Sequence, residues 1–175
     1  AQGLLGVTAD ALYTGGYYIE TALDPSLQSM VDSLFENAAN FPANASDGTQ
    51  VQGAMAVADT RTGALLALVG GRDYSVARGF NRATQMRRQP GSAIKPLAVY
   101  APAIQAGYTT ASIVLDEQQD FGGGYTPRNA GNSYHGNVTL RRALALSMNV
   151  ATVRLMSEIG VKRSTEFLQK AGVPL

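Results

Sequence analysis

The chain has 175 residues, with 14 Lys and Arg against 13 Asp and Glu, a formal charge of +1. That balance excludes a strongly basic nucleic-acid binder and an acidic tail protein, and 45% apolar residues are enough to build a buried core. The absence of cysteine excludes disulfides and thiolate chemistry, and the single histidine, His135, leaves no ligand set for a histidine metal cage.

No apolar run approaches the roughly 20 residues that cross a bilayer. Residues 1–11 have neither the basic nor the long apolar section of a signal peptide; if the protein acts outside the cytoplasm, its targeting segment is expected outside these residues. Residues 1–16, with Gly3, Gly6, Gly15 and Gly16, read as a linker or lead-in. The aromatic and β-branched run from Tyr17 to Leu23 reads as a strand. Asp24-Pro25 is a helix start, with Asp24 as cap. Leu27, Met30, Val31, Leu34, Phe35 and Ala38 then form one apolar helical face. Residues 40–50 are a loop. Ala54–Asp59 and Ala64–Gly70 flank Thr60-Arg61-Thr62-Gly63, the pattern of a hairpin whose nearly continuous apolar strands predict cover on both faces.

Residues 72–89 are polar and include Arg72, Arg78, Arg82, Arg87 and Arg88, read as a solvated face. After Gln89-Pro90-Gly91, the stretch from Ser92 to Ala106 predicts a buried helix ending at Gly107. Residues 107–138 read as loop. Three helices are predicted over Thr139–Ser147, Asn149–Ile159 and Lys162–Ala171, with Gly160 and Gly172 at cap positions.

Ser92 and Lys95 carry the sharpest chemical signal. Three residues apart on a helix, they share a face. A serine hydroxyl becomes a nucleophile when a base takes its proton, and a lysine amine can do so once desolvation lowers its pKa. Helix-start N–H groups next to Ser92 can stabilise an oxyanion. Lys95 also precedes Pro96, which disfavours helical backbone at Lys95, a local conflict of the kind found at functional sites. Taken alone, such a pair is usually a cap and a solvated lysine. The second signal is Ser147-Met148-Asn149 between two predicted helices; its ordinary reading is Asn149 as the cap of the next helix.

Ser-x-x-Lys followed 52 residues later by Ser-x-Asn resembles the penicillin-binding proteins, which carry Ser-x-x-Lys, Ser-x-Asn and Lys-Thr-Gly in that order. The surroundings resemble the class A, bifunctional members. These are Thr21–Gln28, Phe80–Gln85, Arg88-Gln89-Pro90-Gly91-Ser92, Tyr125-Thr126-Pro127-Arg128-Asn129 and Val138–Leu144, so the likeness covers nearly all of residues 17–175. It implies the penicillin-binding protein/β-lactamase-like serine transpeptidase fold, an α/β (α+β) architecture with an antiparallel sheet flanked by helices, here the front portion of that domain. It implies that Ser92 is acylated, that Lys95 takes its proton, that Ser147 relays protons near the leaving amine, and that Asn149 binds the donor peptide. The Ser92 N–H would be one oxyanion donor. Tyr125 and Tyr134 are candidates for lining the peptide groove.

The implied activity is peptidoglycan D,D-transpeptidation between stem peptides on the extracytoplasmic face of a bacterial membrane, without a cofactor, with β-lactams acylating the same serine. A D,D-carboxypeptidase, or a non-catalytic β-lactam- or peptide-binding module of this fold, are the alternatives. The resemblance breaks at the third motif. Arg61-Thr62-Gly63 mimics it but precedes Ser92 and reads as a turn, and the 26 residues after Asn149 contain no counterpart. A second chain or C-terminal portion is therefore expected to complete the domain, with residues 1–175 inactive alone. Among weaker candidates, His135 reads as a surface residue, Gly122-Gly123-Gly124 lacks the helix of a phosphate loop, and Asp116, Glu117 and Asp120 have no cation-binding spacing.

Overall fold

Local capping starts several of the elements. Thr8 Oγ1 accepts the Ala11 N–H at 3.2 Å and begins a short helix, α1 (Ala9–Thr14), inside the segment read as a lead-in. Asp24 Oδ1 accepts from the N–H groups of Ser26 (2.9 Å) and Leu27 (3.0 Å) and, with Pro25 following, begins α2 (Pro25–Glu36). The Leu27 N–H holds the Asp24 carboxyl below its ordinary pKa. The computed structural model describes residues 6–73 and 79–173. Arg78, the first five residues and Pro174–Leu175 lie outside the described residues.

The chain divides into two compact units, Ala1–Arg88 and Gln89–Leu175. In the first, β1 (Met55–Ala58) and β2 (Leu65–Val69) pair antiparallel, with Met55 opposite Val69 and an irregularity after Val57. Arg61-Thr62-Gly63 lies in the connecting turn, as expected. Asp59 Oδ1 takes the Arg61 N–H at 2.7 Å, and Gly63 adopts φ +73°. α2 packs on this hairpin through Val31 and Phe35, against Ala67 and Val69. Its apolar face is narrower than the periodicity predicted, because Met30 and Leu34 are exposed.

Two expectations fail in this unit. Met55 and Leu65 are exposed, so the hairpin is not covered on both faces; continuous apolarity reports capacity for burial, not the presence of a neighbour. Tyr17–Leu23 forms no strand. A strand needs a ladder, and among the described residues beside this run only the Asp24 N–H reaches β2, at the Leu66 carbonyl (2.9 Å). The next edge position is taken by a side chain: the Gln28 amide accepts from Leu68 N–H at 2.9 Å and donates to Leu68 C=O at 3.1 Å. A one-turn helix, α3 (Arg82–Gln85), capped by Asn81, lies in the stretch read as a polar face.

In the second unit, the predicted helix from Ser92 is helical throughout but changes pitch: a 3₁₀ turn (Gly91–Ile94), a π turn (Pro96–Tyr100) and α4 (Ala101–Gln105). The prolines explain this. Pro96 has no N–H for the Ser92 carbonyl, which takes the Lys95 N–H in the tighter pattern instead. Pro102 likewise offers nothing to the Ala98 carbonyl, to which the buried Ser164 hydroxyl donates at 2.5 Å.

The stretch read as loop contains β3 (Ile113–Asp116) and β4 (Gly136–Thr139), which pair antiparallel with Ile113 opposite Thr139. Three helices follow, α5 (Leu140–Ala145), α6 (Asn149–Ile159) and α7 (Val161–Lys170), close to their predicted bounds. Val99, Tyr100 and Ala103 pack with Val114, Val138, Leu140, Met148 and Leu155 into one core. The helical run that begins at Ser92 is therefore the buried spine of this unit.

Candidate active site

Gly91 adopts φ +55°, a conformation open to glycine, and turns the chain so that the 3₁₀ segment starts with Ser92 exposed. One turn on, Lys95 is 9% exposed. Burial lowers the pKa of its amine from the ordinary 10.5. Ser92 and Lys95 open into one cleft of about 430 Å³, which Tyr125, Pro127, Arg128 and Asn149 also line.

The second motif lies on the turn between α5 and α6. Ser147 N–H donates to Leu144 C=O and Met148 N–H to Ala143 C=O, each at 2.9 Å, which is a Schellman closure of α5. Such a closure puts one residue in the left-handed region, usually glycine; here it is Ser147, at φ +50°. Met148, 3% exposed, plugs the core beneath the turn. Both polar side chains of the motif are thereby presented on the side away from the core.

Lys95 Nζ joins the two motifs. It donates to Ser147 C=O (2.7 Å), Ser147 Oγ (3.1 Å) and Asn149 Oδ1 (2.7 Å), which uses all three protons of an ammonium. Among the described residues, no side-chain hydrogen bond joins the Ser92 hydroxyl to the Lys95 amine; the two residues are linked only by the Lys95 N–H on the Ser92 carbonyl. The four motif residues are thus brought to one place, with Ser92 Oγ free in the cleft and the amine turned to the second motif. Tyr125 lines the cleft and is 56% exposed, whereas Tyr134 lies outside its lining.

Asn149 is the first helical residue of α6 rather than its cap; the cap residue is Met148, which has no capping side chain. The capping oxygen comes from another loop. Asn129 Oδ1 accepts from Asn149 N–H (2.8 Å) and Val150 N–H (3.1 Å). Asn129 in turn donates to the buried Asp116 carboxylate, which also accepts from His135 N–H at 3.1 Å and lies 3.2 Å from His135 Nδ1. Sequence reasoning left Asp116 and His135 without a task. The available signal was an acid closing the apolar run Ile113-Val114-Leu115, the position where a strand end buries its last side chain.

A sequence profile of the penicillin binding protein transpeptidase domain matches residues 53–174. The chain belongs to the penicillin-binding protein transpeptidase family. This bears out the resemblance drawn from the two motifs. Penicillin-binding protein 1F of Bacillus subtilis (strain 168) is 35% identical over 176 residues, covering 100% of this chain and 24% of that protein. Among solved structures, penicillin-binding protein PonA1 from Mycobacterium tuberculosis superposes with TM-score 0.79 at 25% identity over 98% of this chain and 42% of that one. A PonA1 structure in complex with penicillin V gives 0.76 at 23% identity, a likeness of fold. The chain thus spans about a quarter of the curated family relative and less than half of the solved ones.

Proposed function

We propose that the complete protein is a serine D,D-transpeptidase of the class A type, which cross-links peptidoglycan stem peptides through an acyl-enzyme on Ser92 and is acylated there by β-lactams. The observation that carries this reading is the Lys95 amine: desolvated, and hydrogen-bonded to both polar residues of the second motif at the floor of the cleft that holds Ser92.

In this reading neutral Lys95 takes the Ser92 proton as Oγ attacks the carbonyl of the penultimate D-alanine. The tetrahedral oxyanion accepts from Ser92 N–H, a first-turn donor without an intrahelical partner. The C–N bond breaks, D-alanine leaves with a proton delivered through Ser147, and Ser92 holds the peptide as an ester. An acceptor amine from another stem peptide attacks the ester carbonyl, its proton returns to the base, and the new amide leaves with Ser92 regenerated. Asn149 and Tyr125 bind the donor peptide beside the nucleophile. In a β-lactam the broken amide stays tethered, so the ester persists. The substrate lies on the extracytoplasmic side, and the rest of the complete protein supplies the third motif. Among the described residues no helix is long and apolar enough to cross a membrane.

The reading is tested by treating the complete protein with penicillin and mapping the adduct by mass spectrometry. A mass increase on the peptide containing Ser92, abolished by Ser92→Ala, supports it; an unmodified Ser92 peptide favours a binding module and overturns it. Product analysis with an added acceptor amine separates transfer from hydrolysis. Residues 1–175 expressed alone are expected to take up no label.

A further inference from the structure

We propose that Asp116 and Asn129 are positioning residues of this site: they clamp the Asn149 amide so that its oxygen, and not its nitrogen, meets Lys95. The proposal rests on the functional reading above and adds to it two residues outside the motifs.

An asparagine amide turns about a broad, two-fold torsion, so nothing in Asn149 itself chooses which atom faces the cleft. The neighbouring loop makes the choice. Arg128 C=O accepts from Asn149 Nδ2 at 2.8 Å, while Asn129 Oδ1 accepts from the Asn149 backbone N–H, also at 2.8 Å. With its nitrogen and backbone both held, Asn149 has only Oδ1 left for Lys95, at 2.7 Å. The wrong rotamer would set an NH₂ group against an ammonium.

Asn129 has the same ambiguity, and Asp116 resolves it. Asn129 Nδ2 faces Asp116 Oδ1 (2.8 Å), Asp116 Oδ2 (2.9 Å) and Ser133 C=O (2.9 Å), all acceptors. Its oxygen must therefore point at the two N–H groups that open α6. Asp116 is 0% exposed and Asn129 8%, so these contacts are largely shielded from solvent. The His135 N–H braces the far carboxylate oxygen at 3.1 Å. The path from Asp116 through Asn129 and Asn149 to Lys95 is continuous, and every step has a fixed donor and acceptor.

The test uses the complete protein and the rate of Ser92 acylation by a fluorescent penicillin. Asn129→Ala is expected to slow acylation about tenfold or more, and to add little to the loss already caused by Asn149→Ala, because both act through one amide. It is also expected to lower the pH at which acylation reaches half its maximum, since an ammonium robbed of an acceptor loses its proton more readily. Tyr125 and Arg128 are the titratable and charged groups that share the cleft with Lys95, whose pKa burial lowers. Asp116→Asn serves where Asn129→Ala folds poorly: it keeps the volume but sets an NH₂ group against either Asn129 Nδ2 or His135 N–H, and should change rate and pH midpoint in the same direction. Wild-type acylation with an unchanged rate and pH midpoint in these variants, or losses that multiply in the double variant, overturns the positioning role alone. A wild-type protein that takes up no label overturns the functional reading and this one with it.

Discussion

The Lys95 amine lies closer to the main-chain oxygen of Ser147 (2.7 Å) than to its hydroxyl (3.1 Å). A side-chain substitution cannot remove a carbonyl, so the shorter of the two contacts survives loss of the Ser147 side chain. In a crystal structure of Ser147→Ala, Nζ should stay about 3 Å from that carbonyl, and the variant should lose only what the hydroxyl contributes. Lys95→Arg should be different. A guanidinium stays charged and cannot take a proton, so acylation should fall by about 10²–10⁴, the usual worth of a general base. Near-wild-type labelling of Lys95→Arg would remove the amine from the mechanism.

The pH dependence has a fixed sign. Burial disfavours the ammonium, so the folded protein releases the Lys95 proton at a pH below the ordinary 10.5. Acylation by the neutral amine should rise with pH and level off before 10.5 is reached. For stability, the unfolded chain binds more protons between the lowered folded value and 10.5. The unfavourable contribution is fully present below the folded pKa and fades as pH climbs through that window. The stability difference between wild type and Lys95→Met should accordingly move in favour of the wild type from neutral towards alkaline pH. Denaturant titrations giving a flat difference would refute this.

Ser147 stands where a Schellman closure is usually glycine, and its φ of +50° costs about 1–2 kcal/mol for a residue with a Cβ. The residue is therefore in conflict with its backbone, and function explains why it is tolerated. Ser147→Gly should leave stability equal or higher by up to ~1 kcal/mol while acylation drops at least about tenfold. A melting temperature well below wild type would mean that the hydroxyl, not the turn, holds this corner together.

Much of this site was legible because its chemistry lies in short motifs on periodic elements. The spacing of Ser92 and Lys95, the hairpin around Gly63 and the glycine-capped helices α6 and α7 are local patterns. What was not legible depended on missing donors or distant partners. The pitch changes after Ser92 come from the absent N–H groups of Pro96 and Pro102, whose effect propagates to the Ser92 and Ala98 carbonyls. β3 and β4 are short strands of a pair separated by a glycine-rich connection, so neither has enough period to read alone. Tyr17–Leu23 has strand propensity without a ladder. Asn129 caps α6 from 20 residues away, a partnership that no window on the sequence contains.

Gly91 sets the direction in which Ser92 leaves the preceding loop, and it does so by conformation alone. A Cβ built there meets nothing within 4 Å, so a larger residue faces no clash, only the cost of φ +55°. Gly91→Ala should therefore destabilise the protein by ~1 kcal/mol, or relax towards negative φ and carry the Ser92 hydroxyl away from the Lys95 side of the cleft. Either way acylation should slow. Gly91→Asn separates the two effects, because asparagine tolerates the left-handed region although it is bulkier than alanine. Asn should retain more labelling than Ala at this position. If the two variants label equally slowly while both are fully folded, bulk rather than backbone angle governs the approach to the nucleophile.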